Sequence, residues 1–135
     1  DIKFLRYADV MLLAAEAAVH ANNTSLALEL VNDIRERARN SGETSGVPAE
    51  LSSVDLAAVQ HERRCELALE AHRYFDIVRW GFANDMLDGK IRATDTIGGR
   101  TGIPLEWVEG KHEFFPIPGS EISLNRGDMA QNPGY

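Results

Sequence analysis

Apolar residues recur at helical spacing through the first third of the chain, and this pattern predicts two helices. The first runs from about Lys3 to Asn22 and the second from about Ser25 to Asn40. In each, the apolar positions repeat about every 3.6 residues, as on one face of an amphipathic helix. Because the polar connection between them is short, the two helices are predicted to lie antiparallel as an αα-hairpin.

The same helical spacing predicts on which face of each helix the polar side chains of the hairpin lie. In the first helix, Asp9 and Glu16 are predicted to lie opposite the apolar face. In the second helix, Arg35 and Arg39 are predicted to face water. The polar run 22–25 offers side-chain oxygens that can cap the second helix.

A third helix is predicted to be the longest element. Ser52 and Asp55 have the spacing of a capping box, so this helix is expected to begin near Val54. Since no glycine or proline follows before Gly81, the helix is expected to continue to about that residue. Trp80 is then expected to cover the end of the core. The predicted core stripe comprises Leu56, Val59, Leu67, Ala71, Phe75 and Val78.

The rest of the chain has no sustained periodicity. The stretch from Gly81 to Gly110 contains six glycines and is expected to form long loops. Strand signals are weak throughout. The chain is therefore predicted to be mainly α-helical, with a helical hairpin, a long third helix and long glycine-rich loops in about one domain.

Charge and composition exclude several classes of function. The chain has 14 Lys and Arg against 21 Asp and Glu, a net charge of −7, which disfavours binding to nucleic acid. No apolar run approaches the roughly 20 residues that span a bilayer. Cys65 is the one cysteine, so no internal disulfide can form. A helical pattern follows Asp1 almost at once, which suggests a processed chain or a piece of a longer one.

One segment of the third helix is similar to a zinc-protease motif. His61 and Cys65 are four residues apart and Glu62 lies beside them, whereas such a site needs a third ligand nearby. His72 is roughly 10 Å further along the helix axis and cannot complete the site. We therefore predict no metal site and a half-buried Cys65, with a metallohydrolase as an alternative that zinc analysis would test.

A stripe of carboxylates also marks this helix. Glu62, Glu66 and Glu70 are spaced one turn apart and would repel one another unless cations intervene. A nearby arginine lowers the pKa of a carboxylate and makes it a poor general acid. The stripe is therefore interpreted as a structural network without catalytic residues. Arg73→Ala is accordingly expected to destabilise the protein by several kcal/mol if the network is buried. The candidate partners are Arg63, Arg64, Arg73 and Arg79.

Trp107 is the one candidate ligand contact, and two interpretations of it stay open. An exposed indole in this loop region could stack on the apolar face of a sugar ring. The other interpretation, which is the commoner one for a single tryptophan in a loop, is that it anchors the loop to the helices. No nucleotide-binding or serine-hydrolase motif occurs, and no cofactor is predicted.

The hairpin resembles one tetratricopeptide-like repeat. Ala15 and Ala27 stand where such repeats place small residues between paired helices, and Ile34 supplies the next apolar contact. A repeat array needs about three units, whereas this chain contains one.

Three blocks in order carry a more specific resemblance. The first block is Arg6-Tyr7-Ala8-Asp9-Val10 together with residues of the second helix. The second block runs from Glu62-Arg63-Arg64-Cys65-Glu66 to Arg79-Trp80-Gly81. The third block runs from Phe115-Pro116-Ile117-Pro118 to Gln131-Asn132-Pro133-Gly134-Tyr135. The chain thereby resembles the C-terminal region of the SusD/RagB family of outer-membrane nutrient-binding lipoproteins. Two residues depart from the family pattern: Ala71 stands where glycine is usual, and Cys65 where another residue, often arginine, is usual.

This resemblance implies both a fold and a function. It implies that residues 1–135 are the C-terminal part of a SusD-like α-helical domain whose N-terminal part, with a lipidated cysteine, is absent from this chain. It implies a non-enzymatic protein on the cell-surface face of the outer membrane. Such a protein captures oligosaccharides or other nutrients and acts with a SusC-type TonB-dependent transporter. It assigns no ligand-contact residue. The alternative is a tetratricopeptide-like interaction module that binds a protein and no sugar.

Overall fold

The computed structural model describes residues 5–42, 46–89, 96–97, 100–101, 106–126 and 128–135. These residues are mainly helical, which confirms the predicted fold class. The helices are α1 (Tyr7–His20), α2 (Thr24–Ser41), α3 (Leu56–Glu66), α4 (Arg73–Arg79), α5 (Ala83–Leu87) and α6 (Gly119–Leu124). Two short strands, β1 (Thr96–Ile97) and β2 (Arg100–Thr101), pair antiparallel.

The chain divides into two compact units, an N-terminal unit (Asp1–Arg73) and a C-terminal unit (Tyr74–Tyr135). The predicted glycine-rich loops fall largely on residues 90–105, most of which lie outside the described residues. Within the described ranges, no helix is long and apolar enough to cross a membrane.

The N-terminal unit is built on the predicted αα-hairpin. The side-chain oxygen of Asn23 accepts a hydrogen bond from the Leu26 N–H at 3.3 Å, so the predicted capping of α2 is confirmed. Ala15 and Ala27 are completely buried, and their small side chains allow the helices to pack closely. The core comprises Ala8, Leu12, Ala15, Ala18, Ala27, Val31, Ile34, Val59 and Leu67.

The third helix begins after a different cap from the one predicted. Asp55 itself is the N-cap, and its carboxylate accepts a hydrogen bond from the Ala58 N–H at 2.8 Å. The prediction that Ser52 and Asp55 form a capping box is therefore wrong. The extended backbone of Asp55 brings its carboxylate to the first turn, and the helix begins at Leu56.

The prediction of one long third helix is wrong, because α3 ends at Glu66 and a bend separates it from α4. Leu69 and Ala71 in this bend adopt left-handed backbone conformations, each with φ of 65°. The guanidinium of Arg6 donates to the Glu66 carbonyl at 2.9 Å and so satisfies a backbone acceptor at the end of α3. α3 thus ends without glycine or proline, and a contact from outside the helix satisfies one of its last carbonyls.

The bend also changes which residues are buried. Phe75, predicted to lie in the core stripe, is 60% exposed, whereas Ile77 is buried. The end of α4 agrees with the prediction, because Gly81 has a φ of 74° and closes the helix. The N–H groups of Gly81 and Phe82 donate to the carbonyls of Val78 and Ile77, the pattern of a Schellman motif.

Candidate functional site

The C-terminal unit contains a cleft that we call the aromatic cleft. Its volume is about 370 Å³, within the range of small-molecule sites. Aromatic rings form most of its wall, and Trp107 is among them. The lining residues are Tyr74, Leu87, Glu106, Trp107, His112, Phe114, Phe115 and Tyr135.

Backbone hydrogen bonds on both sides of Trp107 fix its position. Its own N–H donates to the Asp88 carboxylate at 2.9 Å, and the N–H of Val108 donates to Nδ1 of His112 at 2.8 Å. The half-buried indole lies with its ring centroid 5.7 Å from that of His112 and 6.5 Å from that of Tyr74. This position is compatible with both interpretations of Trp107, as a loop anchor and as a ligand contact.

Two tyrosine hydroxyls at the cleft are used for internal hydrogen bonds. Tyr74 donates to the carbonyl of His112, and Tyr135 donates to the carbonyl of Phe114 at 3.0 Å. Burial, together with the nearby acidic groups of Tyr135 and Glu113, raises the pKa of Tyr74. The tyrosines therefore contribute their rings to the cleft, while their hydroxyl protons are already engaged.

The C-terminal tail holds the segment that carries Phe114 and Phe115. The side-chain amide of Gln131 accepts from the Ile117 N–H at 2.7 Å and donates to the Ile117 carbonyl at 2.9 Å. Asn132 donates to the carbonyl of Phe115 at 2.7 Å. The motifs at 115–118 and 131–135 are therefore two halves of one clasp, in which amide side chains replace a strand partner.

The predicted carboxylate stripe lies in the N-terminal unit. Its arginine partners differ from the four predicted candidates. Glu62 pairs with Arg35. Glu66 pairs with Arg37 at 2.6 Å and with Arg6 at 2.9 Å. The Arg35 side chain is largely buried by this pairing, so its predicted orientation toward water is wrong.

Arg6 also binds Glu70, the last member of the stripe. Both terminal oxygens of Glu70 accept from this guanidinium at 2.7 Å. These hydrogen bonds lower the pKa of Glu70 and raise that of Arg6. The geometry is therefore that of a bidentate ion pair.

The predicted arginines of the network have separate locations. Arg63 forms a 2.6 Å ion pair with Asp9, and the two side chains are only 4% and 6% exposed. The prediction that Asp9 and Glu16 lie on an outer face is wrong, since both are buried. Arg79 pairs with Asp76 at 3.0 Å in the C-terminal unit, and Arg73 begins α4 in a half-buried position.

The zinc-like motif forms one short contact. Cys65 Sγ lies 3.7 Å from Nε2 of His61, and Cys65 is exposed, contrary to the prediction that it is half-buried. Among the residues that the structure describes, no three His, Cys, Asp or Glu side chains are placed to hold a metal ion.

The sequence pointed to Trp107 as a candidate, whereas its neighbours in the cleft were not predicted. The signal was available, because His112, Phe114 and Phe115 follow Trp107 closely in a chain with only 7% aromatic residues. The contributions of Tyr74 and Tyr135 come from distant positions and had no local signal.

Comparisons with known proteins identify the family. The model of the SusD family matches residues 1–135. SusD-like protein P2 of Formosa agariphila is 34% identical over 97% of this chain and 25% of its own length. SusD-like protein P25 of the same organism is 32% identical over 96% of this chain and 24% of its own length. The chain thus spans about a quarter of the length of these relatives.

Solved structures agree with this assignment. Surface glycan-binding protein A from Bacteroides thetaiotaomicron is 27% identical, with a TM-score of 0.69, over 98% of this chain and 24% of that one. Surface glycan-binding protein A from Bacteroides uniformis is 28% identical, with a TM-score of 0.66, over 97% of this chain and 27% of that one. The present chain belongs to the SusD family.

Proposed function

We propose that this chain is part of a non-enzymatic glycan- or nutrient-binding component of an outer-membrane uptake system. The observation that carries the proposal is the family match over residues 1–135. The similarity to two surface glycan-binding proteins favours a carbohydrate as the ligand. In this proposal the chain forms the C-terminal part of the protein. A lipid anchor outside the chain holds the protein on the cell surface, where it acts with a SusC-type TonB-dependent transporter.

The ion pairs of the N-terminal unit support binding rather than catalysis. Hydrolysis of a glycosidic bond would need a carboxylic acid that stays protonated near neutral pH. Glu62, Glu66 and Glu70 are each paired with arginine, and the pKa of Glu70 is lowered. Carboxylates held in such ion pairs suit a scaffold, and Glu70 with its lowered pKa is poorly suited to donate a proton.

The aromatic cleft is the proposed place of ligand contact, with Trp107 as the stacking residue. The apolar C–H face of a sugar ring packs well on an indole. Neighbouring rings of Tyr74 and His112 hold the indole in place. Affinity would then arise from shape and stacking, as in other small-molecule sites.

Glycan binding by the full-length protein tests this proposal. A glycan array identifies the ligand, and isothermal titration then measures its affinity. Trp107→Ala is expected to weaken binding about tenfold, or about 1.4 kcal/mol, through loss of stacking. Trp80→Ala is the matched control, because Trp80 is half-buried in the same unit and packs near Phe82 outside the cleft. Thermal melts verify that both variants fold.

Two results would contradict the proposal. A full-length protein that binds no glycan and captures only protein partners would favour the tetratricopeptide-like interaction module. Equal affinities of the Trp107 and Trp80 variants would remove Trp107 from the binding site.

Association with the transporter is tested separately. Detergent extracts of outer membranes, with an affinity tag on the full-length protein, are expected to yield a TonB-dependent transporter in stoichiometric amount. Recovery of the protein in the outer-membrane fraction without any transporter would contradict this part of the proposal.

A further inference from the structure

We propose that Glu106 makes the aromatic cleft selective for neutral sugar rings over anionic ones, an inference that rests on the proposed glycan-binding function. Among the described residues that line the cleft, Glu106 carries a carboxylate and lies directly before Trp107, the proposed stacking residue. Among the described lining residues, no lysine or arginine is present to balance this charge.

His112 has one of its two ring nitrogens engaged within the chain. Its Nδ1 accepts a hydrogen bond from the Val108 N–H at 2.8 Å. With Nδ1 in that role, Nε2 is the ring nitrogen that can donate to a sugar hydroxyl.

Two tyrosines that line the cleft and one lysine beside it already have partners within the chain. The hydroxyls of Tyr74 and Tyr135 donate to backbone carbonyls. The ammonium of Lys111 lies 4.9 Å from the centroid of the Tyr135 ring in a cation–π contact. Since Lys111 is not among the lining residues, an anionic sugar in the cleft would meet engaged tyrosine hydroxyls and a carboxylate of the same charge.

A neutral sugar, in contrast, complements these groups. Its hydroxyls can donate to the two oxygens of an exposed carboxylate, and such charge-assisted hydrogen bonds are stronger than neutral ones. Because Glu106 precedes Trp107 directly, a ring stacked on the indole can present hydroxyls to the carboxylate. A uronate or sulfate at the same place is repelled.

Paired ligands and a charge-neutral variant test the inference. The full-length protein is titrated with oligosaccharides that differ in a carboxylate at C6, namely glucose against glucuronate, galactose against galacturonate and mannose against mannuronate oligomers. The wild type is expected to prefer one of the neutral probes. Glu106→Gln should weaken binding of that probe about fivefold to tenfold. The ratio of the affinities for the neutral probe and its anionic counterpart should also become smaller. Glu109→Gln, an exposed glutamate outside the cleft lining, is the matched control and should change neither value.

The outcomes separate this inference from the function on which it rests. If the wild type binds a neutral glycan and both glutamine variants match it, the selectivity role of Glu106 is overturned while glycan binding stands. Preference of the wild type for the anionic probes overturns the inference as well. If no glycan binds, the proposed function and this inference both fall.

Discussion

The buried pair of Arg63 and Asp9 shows how a single interaction can be costly to break. Each charge loses its hydration in the interior, and the partner is what compensates for this loss. The 2.6 Å contact and the almost complete burial of both side chains make the compensation direct. Removal of Arg63 takes this compensation away from the buried Asp9 carboxylate.

We expect Arg63→Ala to lower the free energy of unfolding by about 3–5 kcal/mol, because Asp9 loses its partner. Urea denaturation of the full-length protein measures this change. Arg37→Ala is the control, since Arg37 is 55% exposed and Glu66 keeps Arg6; its cost should stay below about 1 kcal/mol. Equal losses for the two variants would show that burial does not govern the strength of these pairs.

The backbone conformation of Ala71 is unfavourable for a residue that has a Cβ atom. With φ of 65°, it occupies a region in which a Cβ atom is unfavourable and glycine is not. We expect Ala71→Gly to stabilise the protein by about 0.5–1 kcal/mol, measured by thermal melts. Ala68→Gly is the control. Ala68 lies in the same bend without a positive φ, so its replacement by glycine should destabilise the protein. A loss of stability in both variants would contradict the strain at Ala71.

At the scale of elements, side chains from distant segments hold the ends of helices and the extended tail. The clasp around Ile117 depends on one amide that both donates and accepts. Pro116 and Pro118 flank Ile117 and have no N–H groups of their own. The Gln131 side chain therefore supplies the pairing that a neighbouring strand would otherwise provide.

Gln131→Glu is expected to destabilise the protein by about 1–3 kcal/mol, because the Ile117 carbonyl loses a donor and meets a carboxylate. Thermal melts measure the loss, and faster hydrogen exchange at the Ile117 amide locates it. Gln60→Glu makes the same chemical change in α3 and should stay within about 0.5 kcal/mol of wild type. Unchanged exchange at Ile117 would refute the role of this clasp.

The bend after α3 should make stability depend on pH. Arg6 lowers the pKa of Glu70, so the folded protein holds this proton less tightly than the unfolded chain, whose glutamate pKa is about 4.3. The resulting stability is present above that value and is lost as the pH falls through the lower folded pKa. Thermal melts across this range should show a weaker acid dependence for Glu70→Gln and for Arg6→Gln. A profile identical to that of wild type would contradict the pairing.

At the scale of the whole molecule, the two compact units have different properties. The N-terminal unit contains the alanine-rich hairpin core and the ion pairs of Glu62, Glu66 and Glu70 with arginines. The C-terminal unit contains short helices, the clasp and the aromatic cleft. In the proposed function, the first unit supports the fold and the second contacts the ligand.

Prediction from sequence succeeded where the interactions are local. The hairpin, the Asn23 cap and the helix end at Gly81 depend on residues that are close in the chain. The prediction failed for Asp9, Arg35 and the end of α3, because their partners lie 27 to 60 residues away. A helical wheel records only polarity, whereas a charged residue can lie inside when a distant opposite charge compensates it. Trp107 as a ligand contact stays a prediction.

The sequence by itself determined the helical class, the hairpin and membership of the family, because the apolar period depends on neighbouring residues and the order of the motifs is read directly along the chain. Only the tertiary structure decided where α3 stops, which arginine pairs with which carboxylate, and which rings surround Trp107. The physical reason is that these features depend on contacts between segments far apart in the chain. Such contacts can oppose local helix propensity, which is worth less than about 1 kcal/mol per ordinary residue.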